Sequence, residues 1–153
     1  MVDILHRVGV KAPLADVYEA LATTEGVAGW WTRDTEGTSE IGKSFTTDFR
    51  DGATGEVLGG FQLRVEELEP SGRVSWLVEE GPAEWIGTHI DFDLKEEDGY
   101  TIILFGHRGW KEAVEFTNHC STKWATFLMS LKHLVETGAG EPAPDDVTIS
   151  NWH

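Results

Sequence analysis

The chain has 153 residues, a length that suits one domain built around one hydrophobic core. Its 12 Lys and Arg residues stand against 27 Asp and Glu residues, and the formal net charge of −15 would repel phosphate backbones and anionic lipid headgroups. No apolar stretch approaches the roughly 20 residues that a membrane helix needs. We therefore expect an acidic globular protein that neither binds nucleic acid nor inserts into a membrane.

The cysteine content and the first residues indicate the compartment. Cys120 is the only cysteine, so no internal disulfide can form. Met1, Val2 and Asp3 do not begin the basic and then apolar run of a secretory signal peptide. Both observations favour a reducing compartment, and we expect a cytoplasmic protein.

The first predicted elements are a strand and two short helices. Apolar residues alternate with other residues over 3–10, and this period of two predicts a strand. A proline then ends the strand and suits a first helical turn, and the spacing that follows predicts a helix over 13–22. Thr24 is a candidate cap for a second short helix that ends at the pair Trp30 and Trp31.

Strand-like alternation fills the middle of the chain. Glycine, proline and acidic residues separate the runs, and links of this composition suit hairpins, so we predict an antiparallel sheet. The last run is apolar on both faces, which indicates that other elements cover both of its sides. The predicted strands include residues 45–49, 61–65, 74–78, 85–94 and 100–107.

A long one-sided helix follows the strands. Over residues 118–137 the apolar period changes to 3.6, and the apolar side chains fall on an arc of roughly 120°. Asn118 is a candidate N-cap, and Gly138 is a candidate for the position just after the helix. We predict a single domain over 1–138 and an exposed C-terminal tail over 139–153.

Several short motifs occur in an order that is typical of one known family. They are Val10–Tyr18, the pair Trp30 and Trp31, Val65–Pro70 leading to Trp76, His107–Trp110 and Trp124–Gly138. With these motifs the sequence resembles the family of Hsp90 ATPase activator homologues within the START-like (SRPBCC) superfamily. The motifs together span most of residues 3–138.

The resemblance implies a fold and a kind of site. The fold is an α+β helix-grip fold, in which a curved antiparallel sheet of about seven strands wraps around a long C-terminal helix and two short helices follow the first strand. The superfamily uses the cavity between sheet and helix for lipids, polyketides, hormones and other apolar molecules. The resemblance does not imply one particular reaction.

The candidate ligand-binding residues lie on the strand faces and the helix arc that we assign to the interior. Plain core packing is the alternative for each of them, because large side chains of this kind also fill ordinary cores. The candidates are His6, Trp31, Phe45, Phe49, Phe61, Leu63, Trp76, Ile90, Phe105, His107, Trp124 and Leu128.

Titratable residues suggest a few other sites. His6 and His107 lie on inward faces, where an imidazole either orients a polar ligand group or is a satisfied core residue. His89, Asp91 and Asp93 share a strand face at two-residue steps, which suits either a metal site or a solvated face. Neither these residues nor Cys120, on the apolar helix arc, leads us to expect a metal or a cofactor.

We expect the chain to bind a small, largely apolar molecule, such as a lipid, polyketide or aromatic compound, in the internal cavity, with no catalytic residues. One alternative is an enzyme of the cyclase or dehydratase kind, in which His107 or His6 assists proton transfer. The other is an Hsp90-related protein interaction module, which would need an exposed apolar patch. A monomer and a homodimer both remain open.

Overall fold

The computed structural model describes residues 1–153 and contains three helices and seven strands. The helices are α1 (Leu14–Ala22), α2 (Thr24–Ala28) and α3 (Glu115–Thr137). The strands are β1 (Val2–Val10), β2 (Asp34–Gly37), β3 (Ser44–Arg50), β4 (Val57–Glu69), β5 (Arg73–Glu80), β6 (His89–Glu97) and β7 (Tyr100–Trp110). None of the helices combines the length and apolarity that crossing a membrane requires.

The strands form one antiparallel sheet in the order β1-β7-β6-β5-β4-β3-β2. Consecutive strands from β2 to β7 are neighbours in the sheet, and β1 pairs with β7. The two short helices lie between β1 and β2 in the chain, and they connect the two edge strands of the sheet. This arrangement confirms the predicted α+β helix-grip fold. The strand predicted over 3–10 and the helix predicted over 13–22 agree with β1 and α1 to within a residue.

The edge strand β2 is not predicted by the sequence. Its four residues, Asp34–Gly37, contain no apolar side chain and hence no alternation that could indicate a strand. The strand exists because it pairs with β3 in register, with Thr35 opposite Thr47. A short polar edge strand also offers little surface for unwanted pairing with other chains.

The strand predicted over 85–94 is wrong at its start. Residues 85–88 form a turn, and β6 begins at His89. Gly87 has a φ of 83°, and the hydroxyl of Thr88 donates a hydrogen bond to the carbonyl oxygen of Trp85. The turn folds Trp85 inward, so that its side chain is buried and not on an outer strand face as the alternation suggested.

The helix α3 begins at Glu115, before the predicted cap Asn118. The hydroxyl of Thr117 accepts a hydrogen bond from the backbone N–H of Val114 at 3.1 Å, so Thr117 and not Asn118 takes part in capping. At the other end, Gly138 has a φ of 91° and donates its N–H to the carbonyl of Leu134 at 2.9 Å. The predicted end of the helix is therefore confirmed.

The core lies between one face of the sheet and the three helices. Trp30, Trp76 and Phe92 are fully buried in it, and the ring centroids of Trp76 and Phe92 are 5.2 Å apart. The indole N–H of Trp30 donates to the carbonyl of Ala20 at 2.9 Å, which joins α1 to the chain after α2. A buried aromatic of this kind adds apolar burial and fixes one helix against another.

The opposite face of the sheet carries a network of charges. Arg108 donates through Nε to Oδ2 of Asp91 at 2.9 Å, and Arg73 donates through Nη1 to both carboxylate oxygens of Asp93 at 2.8 Å. Asp91 is only 1% exposed, and burial raises the pKa of its carboxyl, while Arg108 opposes that shift. The solvated-face interpretation is thus wrong for Asp91, and the two carboxylates pair with arginines; His89 is not grouped with them around a metal site.

The prediction of an exposed tail is wrong for Pro142 and Ala143, which are buried. Ala143 is 2% exposed and forms a parallel bridge with Thr32. Its N–H donates to the carbonyl of Trp31 at 2.9 Å, and its own carbonyl accepts from the N–H of Arg33 at 3.1 Å. These bonds bring the last part of the chain against the loop after α2 and position it beside the cleft described next.

Candidate functional site

One cleft of about 650 Å³ lies where β3 and β4, the connection between β5 and β6, the first half of α3 and residues 143–153 meet. Its apolar lining consists of Trp31, Phe49, Leu58, Phe61, Pro82, Trp85, Phe116, Cys120, Trp124, Phe127, Ala143, Pro144 and Trp152. Its charged and polar lining includes Arg50, Asp51, Glu80, His119, Lys123, Asp146, Thr148 and His153.

Four aromatic side chains form a closed ring of contacts at this cleft, and we refer to them as the aromatic quartet: Trp31, Phe61, Trp85 and Trp124. Phe61 stacks on Trp85 with centroids 4.2 Å apart and on Trp31 at 5.8 Å. Trp124 completes the ring, at 5.2 Å from Trp31 and 5.8 Å from Trp85. Trp31, Trp85 and Trp124 are buried, whereas Phe61 is partly exposed, so Phe61 presents most of the accessible surface of the quartet to the cleft.

Each member of the quartet comes from a different part of the chain. Trp31 follows α2, Phe61 lies in β4, Trp85 lies in the turn before β6, and Trp124 lies in α3. Gly81, at the end of β5, makes room for Phe61, because a Cβ at this position would lie 2.7 Å from Phe61 Cδ1. The cleft wall thus depends on a glycine as well as on the aromatic residues.

His107 lies behind the quartet and holds two of its members. The indole N–H of Trp124 donates to Nδ1 of His107 at 3.1 Å, so the imidazole proton is on Nε2, which lies 2.8 Å from the hydroxyl of Thr88. That hydroxyl in turn donates to the carbonyl of Trp85. Burial lowers the pKa of His107 to about 3, which keeps the imidazole neutral. His107 therefore positions Trp124 and the turn that carries Trp85.

Lys123 is the most enclosed cationic group of the cleft. Its side chain is 15% exposed, and its ammonium group lies 2.5 Å from Asp146 Oδ2. It also donates to the carbonyl oxygen of Val147 and to the terminal backbone oxygen of His153, and it lies 5.3 Å from the ring centroid of Phe127. All its hydrogen-bond partners belong to the segment that follows Ala143.

Two further titratable groups of the cleft have pKa values that are shifted toward the neutral form of the side chain. Burial raises the pKa of the Cys120 thiol to about 12, so the thiolate is not formed near neutral pH, and the side chain packs in the hydrophobic core. Burial, followed by the nearby positive charge of Lys123, lowers the pKa of His119. Its imidazole is therefore neutral over a wider pH range than usual.

Four of the predicted site residues, Trp31, Phe49, Phe61 and Trp124, line the cleft. The other eight do not. Seven of these lie in the core, each no more than 2% exposed: Phe45, Leu63, Trp76, Ile90, Phe105, His107 and Leu128. His6 lies on β1, where Nε2 is 3.0 Å from the carbonyl oxygen of Ser121 and the ring stacks on Phe105. The seven buried residues pack in the core, whereas His6 is half-buried and is in contact with α3 and β7.

The sequence-based prediction missed several residues of the cleft. The hydrophobic periodicity indicated the position of some of them, but not of others. Phe127 and Cys120 share the apolar arc of α3 with Trp124, so the helical period already contained their position. Trp85 gave the opposite signal, because alternation placed it on the outer face. Lys123 interrupts the apolar arc and gave no signal of its partner Asp146, which lies 23 positions later in the chain.

Comparisons with known proteins agree with this architecture. The profile of the family described as "Activator of Hsp90 ATPase homolog 1-like protein" matches residues 11–136. The solution structure of the Aha1 dimer from Colwellia psychrerythraea is 39% identical, covers 92% of this chain and 100% of that chain, and has a TM-score of 0.79. No curated protein sequence gives a significant match.

More distant structures show the same fold. Protein SSP2350 from Staphylococcus saprophyticus is 21% identical, with coverage of 91% of this chain and 95% of that chain and a TM-score of 0.70. CalU16 from Micromonospora echinospora is 17% identical, with coverage of 97% and 74% and a TM-score of 0.73. The family match and the relative from Colwellia psychrerythraea show that the chain belongs to the Activator of Hsp90 ATPase homolog 1-like family.

Proposed function

We propose that the protein binds one small, largely apolar molecule in the cleft bordered by the aromatic quartet. The observation that carries the proposal is the quartet itself, a closed set of four aromatic rings in contact that borders an open volume of about 650 Å³. Ligand sites of this kind measure roughly 300 to 1,000 Å³ and combine apolar walls with a few polar groups. A lipid, polyketide or aromatic compound fits these walls.

The contacts of His107 and His6, the two histidines suggested for proton transfer, do not support catalysis of the cyclase or dehydratase kind by either residue. Such an enzyme needs a group that exchanges protons with the ligand. His107 is outside the cleft lining, and both of its ring nitrogens have hydrogen-bond partners within the protein. His6 is likewise outside the lining and faces the carbonyl of Ser121.

Titration with a neutral apolar fluorophore, N-phenyl-1-naphthylamine, tests the proposal. We expect one saturable site by fluorescence, with the same stoichiometry by isothermal titration calorimetry. A fatty alcohol and a polycyclic aromatic compound should compete for that site. The absence of saturable binding for all three probes to folded protein would contradict the proposal.

We also propose that the protein forms a homodimer, because the relative from Colwellia psychrerythraea is described as a dimer and is 39% identical. Sedimentation velocity should give a mass of twice the chain mass of 17.0 kDa. A species of single chain mass that persists as the concentration rises would contradict this assembly.

A further inference from the structure

The position of Lys123 places a positive charge inside an apolar wall. Its neighbours on α3, Trp124 and Phe127, both line the cleft, and its side chain is mostly enclosed. The other strong cation of the lining, Arg50, is 42% exposed, and its Nε already donates to Asp34 Oδ2 at 2.7 Å. Lys123 is thus the enclosed charge that a bound molecule would meet.

The charge of Lys123 is balanced from one direction only. Its side-chain carboxylate partner is Asp146, and its other partners are the carbonyl oxygen of Val147 and the terminal backbone oxygen of His153. We call residues 146–153 the strap. The body of the fold supplies no hydrogen-bond acceptor to this ammonium group, and its aromatic neighbour Phe127 contributes only the face of a ring.

The strap is attached to the fold more weakly than the residues just before it. Ala143 has two backbone hydrogen bonds to the loop after α2. The backbone hydrogen bonds of the strap, from Ile149 to His153 and from His153 to Ser150, are internal. Its contacts with the body are the Lys123 group, the packing of Trp152 against α3, and a polar contact of Ser150 with that helix.

We infer, as an extension of the binding function proposed above, that the cleft takes apolar molecules that carry a carboxylate group, and that this group replaces the carboxylate of Asp146 on Lys123. Replacing one carboxylate by another keeps the enclosed ammonium group paired throughout, whereas removing Asp146 without a substitute would leave a poorly solvated charge. Asp146 then moves toward solvent together with the strap, whose other attachments are few.

A matched pair of ligands tests this inference: 1-naphthylacetic acid and its neutral amide, which share one apolar body. Isothermal titration calorimetry on the wild-type protein should give a higher affinity for the acid than for the amide, by less than the roughly tenfold that a new charge-assisted contact contributes, because the acid must displace Asp146 from Lys123. Lys123→Met should remove this preference and retain binding of the amide.

The variant Asp146→Asn gives the second arm. It removes the competing carboxylate but leaves the ammonium group in place, so affinity for the acid should rise while affinity for the amide stays unchanged. Lys132→Met is the matched control, since Lys132 lies on the same helix and pairs with Glu136 at 3.0 Å but does not line the cleft. It should keep the wild-type preference.

The outcomes separate the two proposals. Equal affinity for acid and amide in the wild-type protein, or a preference that survives in Lys123→Met, would overturn the carboxylate inference and leave apolar binding in place. Absence of binding for both compounds and for the neutral fluorophore would contradict the binding function itself. If Lys123→Met does not fold, as judged by circular dichroism, the response of Asp146→Asn decides: no gain for the acid overturns the inference.

Discussion

The imidazole of His107 lies on the inner side of β7, where the sequence allowed both a ligand contact and a structural role. The structure gives it two hydrogen bonds, from the indole N–H of Trp124 and to the hydroxyl of Thr88. A proton on Nδ1 would face the N–H of Trp124, so the charged form loses this contact. Burial also disfavours the charged imidazole, and it lowers the pKa of His107 to about 3.

This shift predicts a dependence of stability on pH. The imidazole titrates near 6.5 in the unfolded chain and near 3 in the folded protein, so between these values only the unfolded state binds the proton. The contribution of His107 to the free energy of unfolding should therefore be fully present above pH 6.5. It should fall by up to about 1.4 kcal/mol per pH unit as the pH drops from 6.5 toward 3. The variant His107→Asn lacks the titrating group and should show a flatter profile in urea unfolding between pH 7 and pH 4.

Since other groups also titrate in this window, His119 among them, the difference between the two profiles is the informative quantity. Parallel profiles for wild type and His107→Asn would show that the pKa of His107 is the same in the folded and unfolded states, which would contradict the lowered pKa.

Two phenylalanines of the sheet separate ligand contact from core packing. Phe61 lines the cleft and is partly exposed, whereas Phe92 is fully buried and lies away from the cleft. Phe92→Ala should lower the free energy of unfolding by about 3 to 5 kcal/mol, because it leaves a void in the core. Phe61→Ala should cost less stability and weaken binding of the neutral fluorophore.

Urea unfolding and fluorescence titration of both variants provide the measurement. The interpretation of Phe61 as a ligand contact does not survive if Phe61→Ala binds the probe as tightly as the wild-type protein.

At the scale of the elements, the connection between β5 and β6 decides the shape of the cleft. It contains Trp85 and two glycines with positive φ, Gly81 at 151° and Gly87 at 83°. A Cβ at Gly81 would lie 2.7 Å from Phe61 Cδ1, while a Cβ at Gly87 would have no heavy atom within 4 Å. The two positions share backbone strain but differ in contact with the quartet.

The pair Gly81→Ala and Gly87→Ala exploits this difference. Both variants should lose roughly 1 to 2 kcal/mol of stability, because alanine is strained at positive φ. Only Gly81→Ala should also weaken binding of the neutral fluorophore, since it displaces Phe61. Similar affinities for the two variants would mean that the position of Phe61 does not limit binding.

The elements also show what local sequence can predict. A period of two or of 3.6 determines which face of an element is buried, and this was sufficient for β1, α1, α3 and the core residues of the sheet. It does not determine how far along a strand the helix packs closely. Phe45 and Phe61 both face inward, yet Phe45 is covered and Phe61 borders the cleft.

Features that depend on distant pairing lay outside the reach of local patterns. β2 exists through its register with β3, and the turn that carries Trp85 is held by the contact of the Thr88 hydroxyl with Nε2 of His107. The contact between Lys123 and Asp146 requires the chain after α3 to return to the loop beyond α2. Hydrophobic periodicity does not indicate such a return of the chain, so the position of the strap beside the cleft could not be predicted.

At the scale of the whole molecule, the excess of acidic residues sets the response to salt. A formal charge of −15 destabilises the compact state through self-repulsion, and added salt screens it. The exposed ion pairs, such as Arg7 with Glu97, lose strength in the same salt, but pairs of this kind contribute little.

We therefore expect the melting temperature to rise between low ionic strength and about 0.5 M sodium chloride. Differential scanning calorimetry measures it, and potassium chloride should give the same shift if screening is the cause. A melting temperature that falls as salt is added would show that attractive pairs outweigh the net repulsion.

The close contacts among the indoles also give the molecule an optical property. Trp31 lies within 6.0 Å of Trp30, Trp76 and Trp124, and Trp124 lies 5.8 Å from Trp85, so these five chromophores form one connected array. Transition dipoles at such separations couple, and the coupling depends on the angles between the rings. If a molecule that binds beside the quartet changes those angles, the exciton bands in the circular dichroism spectrum change with it and report occupancy without any added label.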